Sequence, residues 1–209
     1  MTSKCFLLGS DNNQREYVEW VLEQLRSVDT SIEVIVADFC GGMSDLPVTT
    51  IAVDRPKHLE GWYIKPFAIA AAHDNGYNQV CWLDNDLQVL ENIDSIFECV
   101  QENRLGLAPD GYAVRRSKYS VWNSGVVLSS NFPPALIDWM ERCTEMIERG
   151  DQEALAYVAS IRPEVRRQIY DLPVVFNWLR LMGEPKQTVK IRHWTGPVGK
   201  RHIREKLWK

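Results

Sequence analysis

Val80-Cys-Trp-Leu-Asp84-Asn85-Asp86-Leu-Gln-Val-Leu90 is the stretch on which the reading of this chain turns. Gln79–Leu83 reads as a buried strand that runs straight into an Asp-x-Asp pair. In an extended chain, residues two apart point to the same side and rise about 6–7 Å. Two carboxylates so placed reach one divalent cation, and hard oxygen ligands suit manganese or magnesium. A bare Asp-x-Asp also caps turns. However, an apolar strand that ends in two negative charges calls for solvent or a cation to meet them.

Upstream the rhythm is strand, helix, strand, helix. Lys4–Leu8 is a short apolar run that stops at the polar turn Gly9-Ser10-Asp11-Asn12-Asn13. Tyr17, Val18, Val21, Leu22, Leu25 and Val28 recur at helical spacing, and Ile32–Ala37 is a second strand ending at Asp38. Thr49–Val53 reads as a short strand. Ile64, Phe67, Ala68 and Ala71 form a helical stripe closed by Asn75-Gly76. This order predicts an α/β fold, a mostly parallel sheet with helices on its faces, whose ligands lie beyond the carboxyl ends of the strands. Beyond Asp94 the expected strands are Gly106–Ala108, Gly125–Leu128 and Val189–Arg192. Helices are expected around Leu136–Ile147 and over Asp151–Ser160.

Composition sets the class. The chain has 209 residues, a length that fits one domain, and 45% of them are hydrophobic, enough for a substantial core. No stretch approaches the ~20 apolar residues of a membrane span, and the start is too short in apolar residues for a signal peptide, so a cytoplasmic protein is expected. Cys5, Cys40, Cys81, Cys99 and Cys143 form no Cys-x-x-Cys pair and read as reduced thiols. A net charge of −4 argues against nucleic acid as a partner. Residues 190–209 carry seven Lys/Arg against one Glu, a local +6 that leaves −10 for the remainder. A basic arm of this kind meets an anionic ligand or is simply a solvated helix end.

Further motifs follow in a fixed order. Lys65-Pro66, the helix after it, the Asp-x-Asp strand, Asn92-Ile93-Asp94 and Ile96-Phe97 resemble nucleotide-sugar transferases of the glycogenin and lipopolysaccharide glucosyl/galactosyltransferase type (glycosyltransferase family 8). Ala108-Pro109-Asp110, Asn123-Ser124-Gly125-Val126, Gly150-Asp151-Gln152-Glu153 and His193-x-x-Gly196 continue the resemblance, which covers roughly Lys65 to Lys200. It implies a GT-A-like nucleotide-diphospho-sugar transferase fold made of a mixed, mostly parallel sheet between helices. Residues 1–90 would form the nucleotide-binding half and 91–209 the sugar and acceptor half. It also implies transfer of a hexose, with retention, from a donor such as UDP-glucose or UDP-galactose to a carbohydrate, lipid or protein acceptor.

The roles implied are specific. Asp84, Asp86 and His193 would hold manganese or magnesium. Lys65 and Asn85 would contact the donor, and Gly196 and Lys200 its diphosphate. Asp110, Asn123, Asp151 and Gln152 would form the catalytic sugar pocket, with Asp151 nearest the anomeric carbon. Lys200 lies seven residues after His193, one more than is usual in the family, and Arg201 follows it in place of Pro-Trp.

Read without the family, each residue has a plainer alternative. Lys65 is a surface residue at a helix start, Asn123-Ser124-Gly125 a turn, Asp151 a helix cap and His193 a structural hydrogen bonder. Trp62, Tyr63, Trp122, Trp178 and Trp194 are expected mostly in the core, with one or two free to stack on a sugar or base. A phosphohydrolase is disfavoured because its Asp-x-Asp ends the first strand. A nucleotidyltransferase is disfavoured because Gly9–Asn13 is a poor anion loop. A sugar-nucleotide binder without turnover remains the non-enzyme alternative. The terminal basic segment is expected to be free and to close over a bound diphosphate.

Overall fold

The structure is a computed structural model that describes residues 3–59, 61–111 and 122–208. Its centre is a seven-stranded mixed sheet in the order β3-β2-β1-β4-β7-β6-β8. The strands are β1 (Lys4–Ser10), β2 (Glu33–Asp38), β3 (Thr49–Ala52), β4 (Gln79–Leu83), β6 (Leu105–Pro109), β7 (Trp122–Ser130) and β8 (Ile169–Asp171). Strands β1 to β4 run parallel, whereas β7 lies antiparallel between β4 and β6. A small second sheet pairs β5 (Leu87–Val89) with β10 (Ile191–His193) and β9 (Trp178–Leu179).

Alternation along the strands divides the core. Cys5, Leu7, Ile35, Val80, Trp82 and Val127 face α2 (Lys65–Asp74), α3 (Pro134–Glu145) and α4 (Asp151–Ile161). Phe6, Leu8, Val36, Cys81, Leu83 and Leu128 face α1 (Arg15–Ser27) and the small sheet. The stripe Tyr17, Val18, Val21, Leu22 and Leu25 is the buried face of α1, as its spacing predicts. Helix α2 is buried nearly all round, starts with Pro66 in its first turn and ends at Asn75, with Gly76 at φ 93°. A short helix α5 (Pro163–Arg167) leads into β8.

Two local features position the site. The register of β7 against β6 jumps, with Leu107 opposite Val127 but Ala108 opposite Asn123. This bulge leaves Ser124, Gly125 and Val126 without β6 partners and swings them toward the end of β4. Second, Gly9, next to last in β1, stands where a Cβ would lie 2.8 Å from the Trp82 ring and 2.9 Å from that of Phe39. The missing side chain lets those two rings stack over the strand end.

Two expectations need correction. Asp84-Asn85-Asp86 is a turn between β4 and β5, not extended chain. Asn85 Nδ2 donates to the Gly9 carbonyl at 3.0 Å and the Trp194 N–H to the Asp86 carbonyl at 2.9 Å, which hold the turn from both sides. The basic tail does not hang free. It forms α6 (Gly196–His202), continues as a wider π turn through Leu207, and packs on α1 with Ile203 buried and Trp208 4.9 Å from the Tyr17 ring. Its apolar residues anchor it where a charge count alone suggested solvent. Lys209 lies outside the described residues.

Candidate active site

A cleft of about 500 Å³ opens at the carboxyl ends of β1 and β4. Lys65, Asp84, Asn85, Asp86, Asn123, Asp151, Gln152, His193, Gly196 and Lys200 all line it. Of the residues named from sequence, only Asp110 stands behind this wall. It accepts a hydrogen bond from Gln152 Nε2 at 3.2 Å.

Asp84, Asp86 and His193 converge so that one ligand atom of each lies within 4.8 Å of the other two. His193 Nε2 is 3.1 Å from Asp86 Oδ1 and 4.0 Å from Asp84 Oδ2. Burial works to raise the Asp86 carboxyl, but His193 and Lys200 outweigh it and hold it below its ordinary value. Asp84 is oriented by two donors on its other oxygen, Trp82 Nε1 at 2.7 Å and Lys65 Nζ at 3.0 Å, which leaves Oδ2 turned to His193. Two carboxylates and an imidazole gathered in this way fit a divalent cation of the manganese or magnesium type. Gly125 makes room for the ring. A Cβ there would fall 2.1 Å from His193 Cε1.

Lys65 departs from the surface position its sequence suggested. It is 3% exposed, and its ammonium lies 3.0 Å from Asp84 and 3.1 Å from Asp151 while donating to the Ser124 carbonyl and hydroxyl. Burial works to lower the Lys65 pKa, but the carboxylates of Asp151 and Asp84 prevail and it is raised. Burial likewise pushes the Asp151 carboxyl above its ordinary value, and Lys65 works against that push. Asp151 opens α4 after Gly150, and no side-chain bond caps this helix, so its carboxylate serves the cleft instead.

A chain of amides runs from the floor of the cleft into the interior. Gln152 Oε1 accepts from Asn123 Nδ2 at 3.0 Å, Asn123 Oδ1 accepts from Asn177 Nδ2 at 2.8 Å, and Asn177 Oδ1 lies 2.9 Å from His193 Nδ1. Asn177 escaped the sequence reading. Its signal is a lone amide in the otherwise apolar run Leu172-Pro-Val-Val-Phe-Asn177-Trp-Leu179, since a polar group enters such a run only with partners. Across the cleft, on α6, Lys200 Nζ donates to Gln14 Oε1 at 2.9 Å. Gly199 allows α6 to start tight against the preceding chain, because a Cβ there would lie 1.5 Å from the Trp194 carbonyl oxygen. Trp62, one of the five aromatics expected mostly in the core with one or two free, stands 59% exposed on the rim of the cleft.

No protein-family model matches the chain, and no curated protein matches its sequence. Solved structures do match. The galactosyltransferase LgtC, in complex with donor and acceptor sugar analogues, superposes with a TM-score of 0.63 at 15% identity over 92% of this chain and 87% of that one. The glycosyltransferase GlyE of Streptococcus pneumoniae TIGR4 matches with 0.67 at 16%, over 94% of this chain and 55% of its own length. Mouse xyloside xylosyltransferase 1 matches with 0.62 at 13%, over 91% and 97%. The chain therefore has the GT-A-like fold of these glycosyltransferases. Among the described residues no helix is long and apolar enough to cross a membrane.

Proposed function

We propose that this protein is a metal-dependent glycosyltransferase that moves a hexose from a UDP-sugar, UDP-glucose or UDP-galactose, to a carbohydrate, lipid or protein acceptor, with retention of configuration. The observation that carries the reading is the meeting of Asp84, Asp86 and His193 at the end of β4, inside a cleft that also holds Lys200 and Asp151. The fold shared with solved glycosyltransferases supports the same class.

Charge explains the parts. As the bond between the sugar and the diphosphate breaks, negative charge grows on the leaving oxygen. Asp84, Asp86 and His193 would hold a divalent cation whose Lewis acidity stabilises that charge. Lys200 is placed to leave Gln14 for a phosphate oxygen, and Gly196 lets the backbone come close. Residues 1–90 would take the nucleoside beside Gly9–Asp11 and Asn85, and residues 91–209 the sugar. Asp110, Asn123 and Gln152 are bonded to one another as a rigid floor that suits sugar hydroxyls. Asp151, ion-paired with Lys65, would face the anomeric carbon.

A panel of nucleotide sugars, assayed for release of nucleoside diphosphate with manganese and with chelator, tests the proposal. The expected result is manganese-dependent release from a UDP-hexose. Release equally fast in chelator defeats the metal-dependent reading, and no release from any donor leaves a binder without turnover.

A further inference from the structure

The hydrogen-bond donors on the floor of the cleft can be assigned without assumption. A backbone N–H only donates, and that of Gly125 donates to the Asn123 side chain at 2.9 Å, so the atom it meets is Oδ1. The Asn177 atom 2.8 Å from Oδ1 must then be the Nδ2 donor, and the other end of that amide, 2.9 Å from His193 Nδ1, is an oxygen. An amide oxygen only accepts, so the proton sits on Nδ1. The Ser124 N–H, 3.3 Å from Gln152 Oε1, fixes the next amide in the same sense, and Gln152 Nε2 donates onward to Asp110. The chain has one polarity from His193 to Asp110. Turning the Asn177 amide over would set two oxygens against each other at Asn123.

We propose that Asn177 is the positioning residue that keeps a proton on His193 Nδ1 and turns Nε2 to Asp86, so that Nε2 is the nitrogen given to a divalent cation shared with Asp84 and Asp86, which takes the place of any proton there. The inference rests on the cation site read above. Asn177 is 1% exposed, is not part of the cleft wall, and follows a tight 3-10 turn at Val174–Phe176 that fixes its backbone. It touches His193 and Asn123 and does not line the cleft, so it acts through its neighbours. Ligand histidines in general owe their orientation to an acceptor on the second nitrogen, and loss of that acceptor costs about 10–100-fold in metal affinity.

The test uses the whole chain and two readouts. In nitrogen-15 NMR of the metal-free wild type, His193 Nδ1 is expected to carry a proton, and a bare Nδ1 overturns the proposal without any variant. Manganese(II) binding, read by electron paramagnetic resonance with no nucleotide present, is expected to fall about 10–100-fold in Asn177→Leu, which keeps the shape and loses the acceptor. Asn177→Asp keeps an acceptor for Nδ1–H and, protonated on its other oxygen, a donor to Asn123 Oδ1, and is expected to recover most of that affinity. Wild-type affinity in folded Asn177→Leu, or Asn177→Asp binding no better than Asn177→Leu, overturns it. If Asn177→Leu does not fold, Asn177→Asp measured against wild type decides, with a loss of tenfold or more counting against the proposal. A wild type that binds no manganese removes the cation site itself, an outcome separate from the position of the His193 proton.

Discussion

The Lys65 ammonium lies 3.1 Å from the Asp151 carboxylate, with both side chains almost wholly out of solvent. Lys65 comes from the start of α2 and Asp151 from the start of α4, so the pair ties two helices at the floor of the cleft. Removing one member of a buried ion pair leaves the other charge stranded, at a cost of about 3–5 kcal/mol. Lys65→Met is expected to lose stability on that scale in urea unfolding. Lys65→Met with Asp151→Asn should lose clearly less than the two single changes summed. Additive losses would show that the two groups are not coupled.

Asp84→Asn and Asp86→Asn each remove a charge from the proposed cation site while keeping the shape. Both are expected to lower manganese-dependent release of nucleoside diphosphate by about 10²–10³-fold, comparable with the loss of one charge-stabilising group elsewhere. Circular dichroism should remain that of the wild type. Activity within threefold of wild type in either variant would exclude that carboxylate as a ligand.

Gly125→Ala probes the same centre from behind. Its Cβ would meet His193 Cε1 at 2.1 Å, so the imidazole must move away from Asp86. The expected effect is loss of manganese affinity greater than that of Asn177→Leu. Unchanged affinity would mean that His193 is not a ligand in the position described.

Asp38, at the end of β2, predicts a pH dependence. Burial works to raise its carboxyl, but the N–H groups of Met43, Gly42, Gly41 and Cys40 together hold it below its ordinary value. A depressed carboxylate adds stability above the unfolded value of about 3.9 and loses it as pH falls through the folded value. Asp38→Asn should therefore be less stable than wild type by about 2 kcal/mol at neutral pH, from bonds to a charged group. The difference should shrink below about pH 4, where Asp38 in the unfolded chain takes up its proton. A gap that stays constant to pH 2 would refute this account of the loop.

The tail yields two separable effects. Lys200→Ala removes one side-chain bond to Gln14 and should leave the melting temperature nearly unchanged while weakening UDP binding about tenfold, as loss of one charge-assisted bond does. Gly199→Ala cannot fit against Trp194 and should detach α6, seen as new protease cleavage after Trp194 and loss of activity together. Wild-type UDP affinity and turnover in Lys200→Ala would leave the tail without a phosphate-binding task.

Much of this architecture can be read from the chain. Apolar runs and helical spacing locate β1, α1, β2, α2 and β4 to within a few residues, because both faces of the sheet are buried and the apolar code is strong there. The Asp-x-Asp pair is legible because two carboxylates at the end of an apolar strand are costly without a partner, whereas the later motifs are legible only through the family resemblance. What escapes is set by distant packing. The inward course of Lys65 depends on two carboxylates, one of them 86 positions away in sequence. The bulge at Ser124–Val126 arises from a register jump between two strands, and no residue in β7 announces it. Asn177 shows in the sequence only as a lone amide in an apolar run, and its partner becomes evident once His193 is placed beside it. The tail misled because its charges are conspicuous while its anchors, Ile203, Leu207 and Trp208, are few.

The order in which the two sheets close bears on synthesis. All seven strands of the main sheet have left the ribosome's active centre once Asp171 has been added, whereas β5 gains β10, its one strand partner among the described residues, some twenty residues later. A nascent chain halted in between can pair its large sheet while Leu87 and Val89 lack cover and His193 does not yet exist. Such a truncated product would carry two of the three residues of the proposed cation site. On that proposal, an interrupted message would yield a chain whose large sheet is whole and whose site is not.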